Sequence, residues 1–137
     1  MDRKLVHVGI AVKSLDGSLP LFSRLFPQRG GIHIEEVADQ GVRVAMIRAG
    51  ECSLELTEAT APESPIARFI AKRGEGVHHL SFAVDDLAAE LGRLRAEGFR
   101  LVDERPRPGA GGTLIAFLHP SSTNGVLIEL SQKTAGE

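Results

Sequence analysis

The sequence predicts an α+β fold of two tandem βαβββ modules whose strands form one curved mixed sheet. Three observations lead there. The run Val6-His7-Val8-Gly9-Ile10-Ala11-Val12-Lys13-Ser14-Leu15 aligns with His78-His79-Leu80-Ser81-Phe82-Ala83-Val84-Asp85-Asp86-Leu87 at an offset of 72 residues. Further on, Ser53-Leu54-Glu55-Leu56-Thr57 aligns with Leu127-Ile128-Glu129-Leu130-Ser131 at an offset of 74. Between these landmarks, both halves show the same succession of strand and helix patterns. Self-similarity over such a period marks a duplicated supersecondary unit.

In the first module, spanning about 4–58, residues 4–12 read as a strand and 15–26 as a short helix disturbed by Gly17 and Pro20. Strands follow at 31–37, 42–48 and 52–58, separated by the turn signals Asp39-Gln40-Gly41 and Ala49-Gly50. A connector over 59–76 holds Pro62 and Pro65, a helix from Ser64 or Pro65 to Lys72, and then Gly74 and Gly76. Ser64 reads as the N-cap of that helix. The second module, about 77–132, repeats the order with a strand at 77–84, a helix at 86–97 and a strand at 99–103. Gly98 sits where a helix C-cap glycine belongs. A loop with Pro106, Pro108, Gly109, Gly111 and Gly112 precedes strands at 113–118 and 125–131. The tail after Gln132 reads as frayed. Neither half is large enough to be comfortable alone, so the 137 residues read as one domain of two modules.

Composition narrows the function. Apolar residues make up 42% and charged residues 25%, the balance of a soluble protein. No apolar run approaches the ~20 residues of a membrane span. The N-terminus lacks the apolar core and small-residue cleavage site of a signal peptide, so a cytoplasmic location is expected. The lone Cys52 excludes a disulfide framework and reads as inert packing. Sixteen basic against eighteen acidic residues, with no Trp and no Tyr, argue against a nucleic-acid partner.

Strand parity selects the candidate site. Val6, Val8, Ile10 and Val12 share an apolar face that should pack on a helix, whereas His7, Gly9 and Ala11 share the other. In the repeat, His78, Leu80, Phe82 and Val84 oppose His79, Ser81 and Ala83. Glu55 faces with Ser53 and Thr57, and Glu129 with Leu127 and Ser131. His7, Glu55, His79 and Glu129 therefore all fall on the face away from the helices, beside small residues that leave a hollow. Two imidazoles and two carboxylates suit a divalent first-row ion with positions left for substrate. A lone strand histidine is usually structural and a lone glutamate usually solvated. The duplicated spacing and shared parity favour a ligand set.

These residues resemble the vicinal oxygen chelate (glyoxalase/bleomycin-resistance) superfamily and, within it, the methylmalonyl-CoA epimerase family. The similar segments are His7-Val8-Gly9-Ile10-Ala11-Val12, Gln40-Gly41-Val42-Arg43-Val44-Ala45 and Ser64-Pro65-Ile66-Ala67. They continue with Gly76-Val77-His78-His79-Leu80, Phe117-Leu118-His119-Pro120 and Gly125-Val126-Leu127-Ile128-Glu129-Leu130. The resemblance implies metal ligands at His7, His79 and Glu129. It implies a fourth at Glu55, where members carry Gln or Glu. Some members also have a glutamate, proposed as a base, at the position of Val44, which cannot take a proton. The implied reaction interconverts (2R)- and (2S)-methylmalonyl-CoA by removing the C2 proton, the resulting enolate being stabilised by a divalent metal, with Glu129 as one base and Glu55 as the other. Co²⁺ leads among the metals, with Mn²⁺, Ni²⁺ and Zn²⁺ also suited. The resemblance further implies an acyl-CoA substrate and a homodimer.

Secondary expectations concern the substrate's outer parts. Gly109-Ala110-Gly111-Gly112 offers backbone N–H groups to an acidic ligand, or forms a plain turn. Arg43 and Arg107 read as steering charges for a CoA phosphate or as solvated surface. His119 reads as a substrate contact or a cap, and His78 as a core histidine. Three other activities share the fold. A glyoxalase I-like lyase acts on a glutathione hemithioacetal. An extradiol dioxygenase holds iron with two His and one carboxylate, which a fourth ligand disfavours. A metal-free binding or resistance module favours aromatic clamps, which this chain lacks.

Overall fold

The computed structural model describes residues 3–134. The fold is α+β, with eight strands and three α-helices among the described residues: β1 (Leu5–Ala11), α1 (Leu15–Leu25), β2 (Ile34–Val37), β3 (Val42–Ala49), β4 (Cys52–Ala59), α2 (Pro65–Arg73), β5 (Gly76–Ala83), α3 (Leu87–Ala96), β6 (Arg107–Pro108), β7 (Thr113–Leu118) and β8 (Ile128–Lys133). The chain groups into two compact units. One runs from His7 to His78; the other joins the residues before His7 to those from His79 onward.

Within the first unit the strands run in the order β2-β3-β4-β1, with β1 and β4 parallel and the other pairs antiparallel. Helix α1 covers one face. Val12, Leu15, Ala45, Ile47 and Leu56 form its buried cluster, with Ile10, Leu19, Phe22 and Leu54 packed around it. Ser14 caps α1 by accepting from the Gly17 N–H at 3.1 Å, so Gly17 serves the cap and the helix runs through Pro20 to Leu25. Ser64 caps α2, accepting from Ala67 N–H at 3.1 Å. Gly41, with φ +66, makes the turn into β3 and lies against Ser64, where an added Cβ would come within 3.1 Å.

The second unit repeats the arrangement. Its strands run β6-β7-β8-β5, again with the first and last strands of the module parallel. Helix α3 buries Leu87, Leu91 and Leu94 against Ala116, Leu118 and Leu130. Asp86 accepts from Ala89 N–H, and the Gln132 side chain accepts from Leu87 N–H at 2.7 Å, so β8 itself helps cap α3. The helix ends at Glu97 and Gly98 takes the left-handed conformation at φ +93.

Two expectations are corrected. Residues 99–103 do not form a strand; only Leu101 bridges to Leu118. The Asp103 carboxylate accepts from Phe117 N–H at 2.8 Å, taking the donor that a longer ladder would have used. The strand pairing at that edge comes instead from Arg107–Pro108, expected as loop. The chain is also ordered past Gln132: Lys133 ends β8 and the Thr134 hydroxyl donates to the Gly112 carbonyl at 2.6 Å. Residues 135–137 of the expected frayed tail lie outside the described residues.

Candidate functional site

Each unit carries one histidine–glutamate pair, built by the same register. In the first unit the parallel β1–β4 pairing sets Gly9 opposite Glu55, with His7 two residues earlier on the same face. The His7 Nε2 lies 3.6 Å from a Glu55 carboxylate oxygen. In the second unit the parallel β5–β8 pairing sets Ser81 opposite Glu129, with His79 two residues earlier. The His79 Nε2 lies 3.9 Å from a Glu129 carboxylate oxygen. Side chains two residues apart on a strand share a face, so each diagonal brings imidazole and carboxylate together. The offset grows from 72 to 74 residues in the segments between the strands, and the register at the pair is the same in both units.

The faces are those that parity predicts. Ile10, Leu54 and Leu56 pack under α1 while His7 and Glu55 face the other way, and Phe82, Ile128 and Leu130 pack with α3 while His79 and Glu129 face away. His7, Glu55, His79 and Glu129 are 8%, 7%, 5% and 3% exposed. Such buried imidazoles and carboxylates need partners that repay their lost hydration. Within each pair the two atoms are too far apart for a hydrogen bond. Donor atoms sharing one ion at ~2.0–2.2 Å stand roughly 3–4 Å apart, and both pairs meet that spacing. Each pair therefore has donor types and a spacing that fit a divalent metal ion.

The strands flanking each pair complete it. Across β7–β8, Phe117 stands opposite Glu129, and its ring meets the His79 ring edge-on with centroids 5.3 Å apart. Strand parity and the Phe117-Leu118-His119-Pro120 run were the available signals for this contact. Across β3–β4, Met46 holds the equivalent place opposite Glu55 and is 38% exposed. Val44 stands opposite Thr57 on the Glu55 face and is buried. The Thr57 hydroxyl donates to the Glu55 backbone carbonyl at 3.2 Å, fixing β4 there.

The other sequence candidates lie as follows. Arg43 sits on the opposite face of β3 from Val44, ion-paired with Glu58 at 3.0 Å. Arg107 pairs with Asp103 at 3.0 Å. His119 accepts a hydrogen bond at Nδ1 from Ser121 N–H and so caps the turn after β7. Gly111 and Gly112 adopt φ +69 and +73 in a turn held by the Thr113 hydroxyl on the Ala110 carbonyl. His78 is half-buried and packs edge-on against Phe69, centroids 4.9 Å apart, outside both main apolar clusters. Cys52 is a free thiol at the start of β4.

A duplicated βαβββ unit bearing one buried histidine–glutamate pair per copy defines a class, and comparison with known proteins agrees. Residues 6–117 match the Glyoxalase/Bleomycin resistance protein/Dioxygenase superfamily, and the chain belongs to it. Its relatives narrow the likeness. It is 37% identical to the mitochondrial methylmalonyl-CoA epimerase of Dictyostelium discoideum, over 95% of this chain and 78% of the relative. It is 35% identical to the ethylmalonyl-CoA/methylmalonyl-CoA epimerase of Cereibacter sphaeroides, over 96% of this chain and 99% of the relative. A solved methylmalonyl-CoA epimerase in complex with methylmalonyl-CoA and ammonium superposes with a TM-score of 0.90 at 35% identity, covering 98% of this chain and 97% of that one.

Proposed function

We propose that this chain is a metal-dependent epimerase that interconverts (2R)- and (2S)-methylmalonyl-CoA. The observation that carries the reading is the histidine–glutamate pair repeated at one register in both modules, in a chain whose relatives of nearly equal extent bear that activity. His7, Glu55, His79 and Glu129 would hold the metal, all four being buried and of ligand type. When bound, a divalent ion supplies Lewis-acid stabilisation of negative charge developing on the substrate's oxygens.

The chain's residues supply the proton transfers. The C2–H of the substrate is acidified by the thioester on one side and the carboxylate on the other. Glu129 removes that proton, and the bonding pair moves toward the thioester oxygen. Glu55, carrying a proton, delivers it to the opposite face of C2 and leaves inverted configuration; the reverse reaction exchanges the two roles. The module repeat puts the two carboxylates on equivalent strands of opposite modules. Val44 offers no proton, which leaves Glu55 as the carboxylate for that side. We also propose that the turn at Gly111 and Gly112, together with His119 and Arg43, meets the outer portion of the acyl-CoA.

The wider setting follows from the same reading. No helix among the described residues is long and apolar enough to cross a membrane. We propose a cytoplasmic homodimer in which both modules act as one domain. Co²⁺ is the leading metal, and Mn²⁺, Ni²⁺ and Zn²⁺ suit the same donors.

The test is proton exchange at C2. Metal-stripped protein reloaded with Co²⁺ or Mn²⁺ is given one isomer of methylmalonyl-CoA in D₂O, and deuterium at C2 is followed beside configuration. Metal-dependent exchange with epimerisation is expected. Folded, metal-loaded protein that exchanges nothing overturns the reading, and turnover of a glutathione hemithioacetal would then favour a glyoxalase-type lyase.

A further inference from the structure

We propose that Ser81 is a positioning residue for Glu129: its hydroxyl makes no hydrogen bond in this structure and would donate to the carboxylate when a metal ion is held there, keeping it in its working orientation. This rests on the reading of Glu129 as a metal ligand and base. Ser81 is fully buried, at 0% exposure, and among the described residues no group hydrogen-bonds to its hydroxyl. A hydroxyl has one donor and two acceptor sites, and a buried one is almost always used.

Its surroundings indicate where that use lies. Ser81 stands directly opposite Glu129 in the parallel β5–β8 pair, so their side chains leave the sheet on the same face, beside His79. The helix side of the sheet offers it nothing, because α3 packs against Phe82 and Leu130 on the other face. The equivalent place opposite Glu55 is Gly9, which has no side chain. The duplicated halves are thus unequal at one matched position, and the hydroxyl accompanies the more buried of the two carboxylates. A small side chain would satisfy the packing need there as alanine does; serine adds only the hydroxyl. Groups of this kind that orient a ligand typically change metal affinity or activity by 10–100-fold when removed.

Mn²⁺ binding to the metal-free protein, read by electron paramagnetic resonance, tests the proposal without catalysis. Ser81→Ala should bind Mn²⁺ at least fivefold more weakly while melting no lower than the parent. Ser81→Thr, which restores the hydroxyl, should recover most of that loss. Isomer-resolved exchange in D₂O adds a second readout. Ser81→Ala should slow washout of the C2 proton more for the isomer that Glu129 deprotonates than for the other. Unchanged Mn²⁺ affinity and equal exchange in Ser81→Ala would overturn the role of Ser81 alone. A parent chain that binds no Mn²⁺ and exchanges no proton would overturn the underlying reading, and this proposal with it.

Discussion

Glu55 and Glu129 occupy the same place in two parallel strand pairs, the one opposite Gly9 and the other opposite Ser81. Each has a histidine two residues before its opposite number, at 3.6 Å and 3.9 Å. Equivalent register with unequal neighbours sets two similar carboxylates in different surroundings.

Glu55 has no carboxylate neighbour at Val44, so on the proposed mechanism it would serve its side of the reaction alone. Glu55→Gln should lower epimerisation on the order of 100-fold, the usual weight of a general acid–base group. Val44 shares its face, two residues along the sheet. Adding Val44→Glu to the Glu55→Gln variant should recover at least part of the activity. Steady-state epimerisation of both variants decides it, and no recovery would show that a carboxylate at this place cannot reach C2.

Metal should stabilise the fold as well as serve the reaction. At a free concentration 100 times Kd, an ion that binds only the native state adds about 2.7 kcal/mol. For a domain of this size that is a rise in melting temperature of about 10 °C, reversed by a chelator. His79→Ala should abolish the shift, and calorimetry with and without Co²⁺ measures it.

Phe117 packs its ring edge-on against His79 and faces Glu129 across the strand pair. Phe117→Ala removes that contact from a half-buried ring on the face away from α3, costing about 1 kcal/mol. It should also weaken metal binding by loosening the His79 ring. Phe117→Leu should keep more of the stability than of the affinity. Denaturant unfolding and metal titration on the same samples separate the two effects.

Gly109 is required for space rather than for its backbone angle. Its φ is −122°, open to any residue, but a Cβ would sit 2.7 Å from an Ile115 methyl and 2.8 Å from the Thr113 hydroxyl. Gly109→Ala should destabilise by about 1–3 kcal/mol, an overpacking cost. Gly50, whose Cβ would meet nothing, should accept alanine with only its backbone strain at φ +69. Urea midpoints compare the two.

Glu90 sets an acid limit. Hydrogen bonds and charge from Arg93 and Arg3 hold its carboxyl down from 4.5 to about 2. A depressed carboxyl stabilises the fold above its unfolded value and loses that contribution as pH falls from about 4.5 toward 2. Glu90→Gln should flatten the stability profile over that window. Salt should weaken the effect, because Arg93 is half exposed. Melting temperature against pH, at two salt concentrations, reads both.

The sequence by itself determined the duplication, the helices, most strands and the faces of the four candidate ligands. Those features are local or periodic. Alternation assigns His7 and Glu55 to one side of their strands, Ser64 marks a cap whose partner N–H lies three residues ahead, and the self-alignment pairs one module with the other. Tertiary structure decided what depends on distant partners. Residues 99–103 have strand-like composition, yet Asp103 takes the Phe117 N–H and confines pairing to Leu101, while Arg107–Pro108 supplies the edge. His119 became a cap because Ser121 N–H lies within reach of its Nδ1. The opposition of Ser81 to Glu129, and of Phe117 to the same residue from the other side, needed the register of β5, β8 and β7. Register is set by hydrogen bonds between strands, 48 residues apart for Ser81 and Glu129 and 12 for Phe117 and Glu129, and strand periodicity fixes a side chain's face but not its neighbour.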